Sequence, residues 1–172
     1  MSEKRESKKT KVQLQPKSPS KVEQTSIDEI DMKILRILNW DARLSYREIA
    51  RQTKLSTGTV IARLNKLRKE GVINGYSVNI NPKKLGFGLT AIIEVIAPKI
   101  SLMQAMRDIK ELPNIQGIYH LTGDVDIIIM AKFKSIEHLQ NFLNELYKKE
   151  DIQRTHTRIV LDTLKEDFRI II

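Results

Sequence analysis

Apolar residues first recur with helical spacing at Ile27, Ile30, Ile34, Ile37 and Leu38. Steps of three and four put them on one stripe of a helix that begins at Ser26–Asp28 and ends at Trp40-Asp41. A second start follows. Ser45, with Glu48 three residues on, has the form of a capping box, and Tyr46, Ile49 and Ala50 supply the buried side. After Thr53-Lys54-Leu55, Ser56 is a third N-cap, and Val60, Leu64 and Leu67 form the next stripe until Gly71 stops it. Val72-Ile73 and Tyr76–Ile80, around Asn74-Gly75, predict two short strands of a hairpin.

The pattern then changes period. Leu89–Ile96 is an apolar, β-branched run, and Ser101–Leu112 is helical with Leu102, Met106 and Ile109 on one side, closed by Pro113-Asn114. Ile115–Leu121 and Val125–Phe133 predict strands about the turn Thr122-Gly123-Asp124. Ser135–Lys149 predicts a helix and Arg154–Leu161 a final strand. The order β-α-β-β-α-β is the ferredoxin-like arrangement. The predicted class is therefore α+β: an N-terminal winged helix-turn-helix and a C-terminal ferredoxin-like βαββαβ domain.

Boundaries follow from composition. Residues 1–26 hold only Met1, Val12, Leu14 and Val22 as apolar side chains, too few to offset ordering entropy, so a disordered basic arm is expected. Residues 27–81 form the helix-turn-helix domain, with the motif itself at about 46–65, and residues 82–172 the second domain. With no cysteine, disulfides and thiolate metal sites are excluded. No apolar run approaches the roughly 20 residues of a membrane span, and the N-terminus has no apolar core of a signal peptide. A cytoplasmic, nucleoid-associated protein is expected.

The net charge of +9 is uneven: residues 1–26 and 27–80 each carry +4, and residues 81–172 only +1. The basic excess thus lies where it can attract a polyanion. From Arg51 to Lys69 there are six basic residues and no Asp or Glu. On the third helix, Thr59, Ala62, Arg63 and Lys66 recur at i, i+3, i+4 and i+7, the face expected to enter the major groove of double-stranded DNA. Arg63 is suited to a guanine edge or a phosphate, Thr57 and Thr59 to contacts near the helix N-terminus, and Lys66 to the backbone. Arg47, Ser56 and Tyr76 complete the candidate DNA-binding set.

The run IDEIDMKIL…DARLSYREIARQTKLSTGTVIARLNKLRKEGVINGY, spanning Ile27–Tyr76, resembles the DNA-binding domain of the Lrp/AsnC (feast/famine) transcriptional regulators, and HLTGDVDIIIMAKF resembles the strand-turn-strand of that family's regulatory domain. The resemblance covers about Ile27 to Asp167. It implies a dimer formed through the C-terminal domains, often assembled into tetramers or octamers, with a small effector, commonly an amino acid, bound between subunits near Thr122-Gly123-Asp124. Carried over onto this chain, the effector candidates are His120, Thr122, Gly123, Asp124 and Asp126, with Thr155 and Thr157 from the last strand. Lys54 stands where many members have Gly, and Thr57-Gly58 lacks the Pro often found there; both bear on the operator sequence.

Other chemistry is weakly supported. Asp124 and Asp126 have no nucleophile or third group beside them, so a turn carboxylate is favoured over a catalytic pair. His120, His138 and His156 have no metal-ligand spacing; His138 reads as a helix-surface residue, and packing is favoured for the other two. Neither a P-loop nor a G-x-G-x-x-G is present. No catalytic residue, metal or cofactor is expected. The strands are apolar on both faces, as in Ala91, Ile93 and Val95 against Ile92 and Ile96, so a partner copy is expected to cover the face without helices, and Phe168–Ile172 can add to that interface. A regulator that responds to an amino acid is one outcome. A largely ligand-independent, DNA-organising protein of the same architecture is the other.

Overall fold

The computed structural model describes residues 26–172; the expected basic arm, Ser26 apart, lies outside the described residues. Two compact units are present. One runs to Tyr76 and includes Ile170–Ile172, and the other is Ser77–Arg169. The division falls at Tyr76/Ser77 rather than at 81/82, because Tyr76 is the last residue of its segment tied to the first unit, its hydroxyl accepting from Arg68 Nη2 at 3.2 Å.

In the first unit, helices α1 (Glu29–Trp40), α2 (Tyr46–Thr53) and α3 (Thr57–Lys69) surround a core of Ile34, Leu38, Ile49, Ala50, Val60 and Leu64. Each start is capped as the sequence requires. Asp28 Oδ1 accepts from Asp31 N at 2.8 Å, Ser45 Oγ from Glu48 N at 3.2 Å, and Ser56 Oγ from Thr59 N at 3.0 Å. Reciprocity is found only at α1, where Asp28 N donates to Asp31 Oδ2; Glu48 turns instead to Arg51. Lys54 takes up the left-handed conformation, φ +59°, so a lysine makes the turn between α2 and α3 that a glycine makes without strain. Gly71, φ +71°, ends α3. Its N–H bonds to Arg68 O and that of Val72 to Leu67 O, the paired bonds of a Schellman close.

The hairpin expected after α3 is not formed. Residues 72–80 carry no strand, and Ser77–Ile80 are exposed. The segment is anchored through its start, where Val72 and Ile73 N–H groups share the Leu67 carbonyl, and an isolated two-stranded ribbon is marginal without a third strand.

The second unit opens with a short 3₁₀ turn, Pro82–Leu85, which the apolar pattern did not predict; Asn81 caps it. Then follow β1 (Leu89–Ile96), α4 (Leu102–Lys110), β2 (Ile115–His120), β3 (Ile127–Phe133), α5 (Ile136–Tyr147) and β4 (Arg154–Ile159). The sheet order is β2-β3-β1-β4 with antiparallel neighbours, as the βαββαβ reading requires. The inner face, Ala91, Ile93 and Val95 with Ile127, Ile129 and Phe133, is buried with α4 and α5 residues such as Ile109 and Leu146. The other face carries half-buried Ile92, Ile96, Ile128 and Met130. Part of it meets the unit's own C-terminal segment: Lys132 Nζ lies 2.9 Å from Glu166 Oε2, and a cleft of about 540 Å³ lies between Ile92, Met130 and the Val160–Phe168 stretch.

Candidate nucleic-acid interface and effector turn

The three-residue turn Lys54–Ser56 sets α3 across α2, and three buried side chains, Val60, Leu64 and Leu67, fix its rotation. On a helix of 3.6 residues per turn, the direction opposite those three is occupied by Gly58, Ala62, Asn65 and Lys69, all exposed. The expected stripe of Thr59, Ala62, Arg63 and Lys66 therefore lies roughly 60° too far towards α1. Ala62 belongs to both sets.

Arg63 and Lys66 are both engaged within the unit. Asp31 on α1 is fully buried, and its two oxygens receive Arg63 Nη1 at 3.1 Å and Lys66 Nζ at 3.3 Å. Arg63 also pairs with Asp28, and Lys66 donates to the Ser26 carbonyl at 3.1 Å. A buried carboxylate without a cation costs several kcal/mol, roughly 3–5 when a partner is removed. Both cations thus help to hold α1 on α3. The Asp31 N–H, and then the Arg63 guanidinium, hold the Asp28 carboxyl below the usual aspartate range; Asp28 and Asp31 in turn raise the Arg63 pKa. A sequence signal existed: D-x-x-D at the start of one helix and R-x-x-K on another are a complementary pair, but spacing along the chain does not say that they meet.

The remaining candidates are placed as follows. Arg47 is exposed on α2. Ser56 is exposed and engaged as the α3 cap, its Oγ 2.8 Å from Thr59 Oγ1, while Thr57 and Thr59 are half-buried in the first turn. Tyr76 packs under Arg68, whose guanidinium carbon is 5.5 Å from the ring centroid; Tyr46 and then Tyr76 raise the Arg68 pKa through their hydroxyls. Asn65, Gly58 and Lys69 were not among the candidates, and the burial of Val60, Leu64 and Leu67 was the signal that points to them.

In the second unit, Thr122, Gly123 and Asp124 are exposed in the turn between β2 and β3. Gly123 has φ +109°, and a Cβ there would meet nothing within 4 Å, so the backbone is open to close approach. Asp126 is engaged within the unit. Its Oδ2 accepts from Ala97 N at 3.0 Å, and its N–H bonds to Val95 O at 3.2 Å, clipping β3 to the end of β1. One oxygen of Asp126, expected among the effector residues, thus has a partner within the unit. Thr155 and Thr157 oppose Val95 and Ile93 on β4, with Thr155 Oγ1 3.1 Å from Tyr147 Oη. Two strand spacings, roughly 10 Å, separate β4 from β3.

His120 and His156 are exposed rather than packed, and His138 is half-buried on the surface of α5. It lies edge-on to Phe133 with centroids 5.6 Å apart, and Nε2 is 3.2 Å from Asn114 Nδ2. Among the described residues no group of three or more His, Asp or Glu side chains is arranged to hold a metal, and no helix is long and apolar enough to cross a membrane.

Residues 27–74 match the family model of winged helix-turn-helix DNA-binding domains, and residues 90–170 that of the Lrp/AsnC ligand binding domain. A helix-turn-helix-type transcriptional regulator from Pyrococcus furiosus is 40% identical over 144 residues, covering 84% of this chain and 97% of that protein. Among solved structures, Escherichia coli AsnC is similar with a TM-score of 0.75 at 31% identity, over 82% of this chain and 96% of that one. The feast or famine regulatory protein from M. tuberculosis, complexed with L-methionine, has a TM-score of 0.78 at 26% identity, over 85% and 99% of the two chains.

Proposed function

Given that the chain belongs to the Lrp/AsnC family of transcriptional regulators, we propose that it recognises specific duplex sequences with α3 and adjusts that binding to a small amino acid held between subunits. One observation carries the DNA reading: the outward side of α3 is exposed and free of acidic residues from Gly58 to Lys69. Arg47 on α2 adds a cation suited to phosphate. In a symmetric dimer two such helices would meet two half-sites about one helical turn apart, or a multiple of it.

The effector proposal rests on the exposed turn at Thr122–Asp124, the open backbone at Gly123 and the L-methionine held by a similar regulator. Backbone N–H groups and the Thr122 hydroxyl suit a carboxylate, and Asp124 suits an α-amino group. Self-association through the apolar outer sheet face, Ile92, Ile96, Ile128 and Met130, supplies the second subunit.

Footprinting on genomic DNA, with and without each amino acid and L-methionine first, tests both parts. Discrete paired sites that change with one amino acid are expected. Uniform coverage, indifferent to every amino acid, would establish the DNA-organising alternative instead. Asp124→Ala should abolish the response and leave apo DNA binding intact. Asp126→Ala would loosen the β1–β3 clip and so cannot serve as a clean ligand variant.

A further inference from the structure

A cleft of about 370 Å³ opens in the first unit between the end of α1, the start of α2 and the last turns of α3. Clefts that hold small molecules run from about 300 to 1,000 Å³ and combine an apolar lining with a few polar groups. Here Leu38, Leu44, Ile49 and Leu64 supply the apolar wall. Leu38, Ile49 and Leu64 are also buried members of the three-helix core, so the wall is fixed before any ligand arrives.

The polar side of the cleft is one-signed. Arg68 is the charged group of the lining, beside the hydroxyls of Ser45, Tyr46 and Tyr76. Ser45 is occupied as the α2 cap. The Tyr76 hydroxyl accepts from Arg68 Nη2 at 3.2 Å, its ring lies against the guanidinium, and the Tyr46 hydroxyl also favours the charged form. Arg63 and Lys66 meet Asp28 and Asp31, whereas Arg68 forms no ion pair among the described residues. A guanidinium offers five N–H donors in a planar fork, so donors remain for a carboxylate. No Asp or Glu lines the cleft.

We propose that this cleft is a small-molecule site within the helix-turn-helix unit, and that it takes a monocarboxylate with an apolar body. The carboxylate sits on the Arg68 fork and the body against Leu38, Leu44 and Ile49. Its chemistry differs from that of the amino-acid site proposed in the second unit. An amino acid would bring its ammonium to a wall without a carboxylate, and an unpaired charge is costly there. A phosphate of DNA would use the same arginine and leave the apolar wall idle. Tyr76 both lines the cleft and is the last residue of its segment in the first unit, so the ligand meets the residue at which the chain leaves the helix-turn-helix.

Phenylpropanoate, phenylalanine and phenylpropanamide are the probes: the amino acid adds only the α-ammonium, and the amide replaces only the carboxylate. Binding to the full chain is read from fluorine resonances after fluorotyrosine labelling, with the two relevant rings assigned through Tyr46→Phe and Tyr76→Phe. Phenylpropanoate should shift both resonances. The other two compounds should bind there about tenfold or more weakly, as loss of a charge-assisted hydrogen bond entails. Arg68→Gln should weaken phenylpropanoate by a similar factor, and Arg68→Lys, which keeps the charge without the fork, by less. Arg68 is exposed, and circular dichroism checks that both variants fold. Equal binding of the amide or of phenylalanine at these tyrosines, unchanged binding by Arg68→Gln, or no shift at all would overturn the site. In the last case, a salt slope for DNA lowered by about one in Arg68→Gln would assign the arginine to phosphate instead.

Discussion

Removing the Asp31 carboxylate should destabilise the helix-turn-helix unit by more than any surface change on it. Asp31 has no solvent exposure, yet it serves three partners: the Asp28 N–H at 3.3 Å, Arg63 at 3.1 Å and Lys66 at 3.3 Å. Asp31→Ala deletes all three. The Asp28 side-chain cap survives, and loss of the reciprocal bond from the Asp28 N–H costs about 0.5–1.5 kcal/mol. The stranded cations add less than the 3–5 kcal/mol of a fully buried pair, since their side chains are 27% and 35% exposed and partly rehydrate. A total of about 2–4 kcal/mol is expected. A unit of this size holds only about 2.5–7 kcal/mol, so the variant stands near its threshold. Asp31→Asn keeps the volume and one acceptor oxygen, and should cost about 1–2 kcal/mol. Urea denaturation at 222 nm measures the loss, and hydrogen exchange of peptides from α1–α3 assigns it to this unit. The same substitution frees Lys66 and loosens Arg63, so non-specific DNA binding by Asp31→Asn should gain up to about one unit of salt slope per released cation. Wild-type stability together with an unchanged salt slope would refute the ion-pair assignment.

Further perturbations address the turn, the pH response and the phosphate contact. Lys54→Gly should stabilise the first unit by about 0.5–1 kcal/mol, because glycine takes φ +59° without a Cβ penalty; a fall in the urea midpoint would contradict the strain argument. The Asp28 carboxyl is held below its ordinary value of 3.8, so its stabilising contribution is fully present above that value. It is lost as pH falls through the lower folded-state value. Acid unfolding of α1–α3 should accordingly begin below about pH 4, and Asp28→Asn should flatten that limb, read by circular dichroism. Arg47→Ala should weaken all duplexes alike and reduce the salt slope by about one, whereas a change in preferred sequence would place Arg47 on a base.

Local order was legible in the chain because the signals that set it are local. Ser45, Ser56 and Gly71 mark helix ends through bonds spanning a few residues, and the shift from helical to alternating apolar spacing near Leu89 announces the second unit. The βαββαβ order was equally plain from Leu89 to Ile159. The hairpin after α3 was misread: Asn74-Gly75 is a strong turn signal, but strands need partners that a local signal cannot supply. The rotation of α3 was decided only in three dimensions. Arg63 and Lys66 have the sequence of DNA-contacting residues, and only the packing of α1 brings Asp28 and Asp31, more than thirty positions earlier, against them. Asp126 repeats the lesson in the second unit, where one of its oxygens accepts from the Ala97 N–H, 29 residues away in sequence, a partner that the turn's composition does not announce. Charge and spacing along the chain specify which groups exist and which element bears them. Which groups remain free to meet DNA or a ligand depends on long-range partners, because a buried carboxylate or an unpaired N–H takes the nearest available charge or acceptor before any external molecule does.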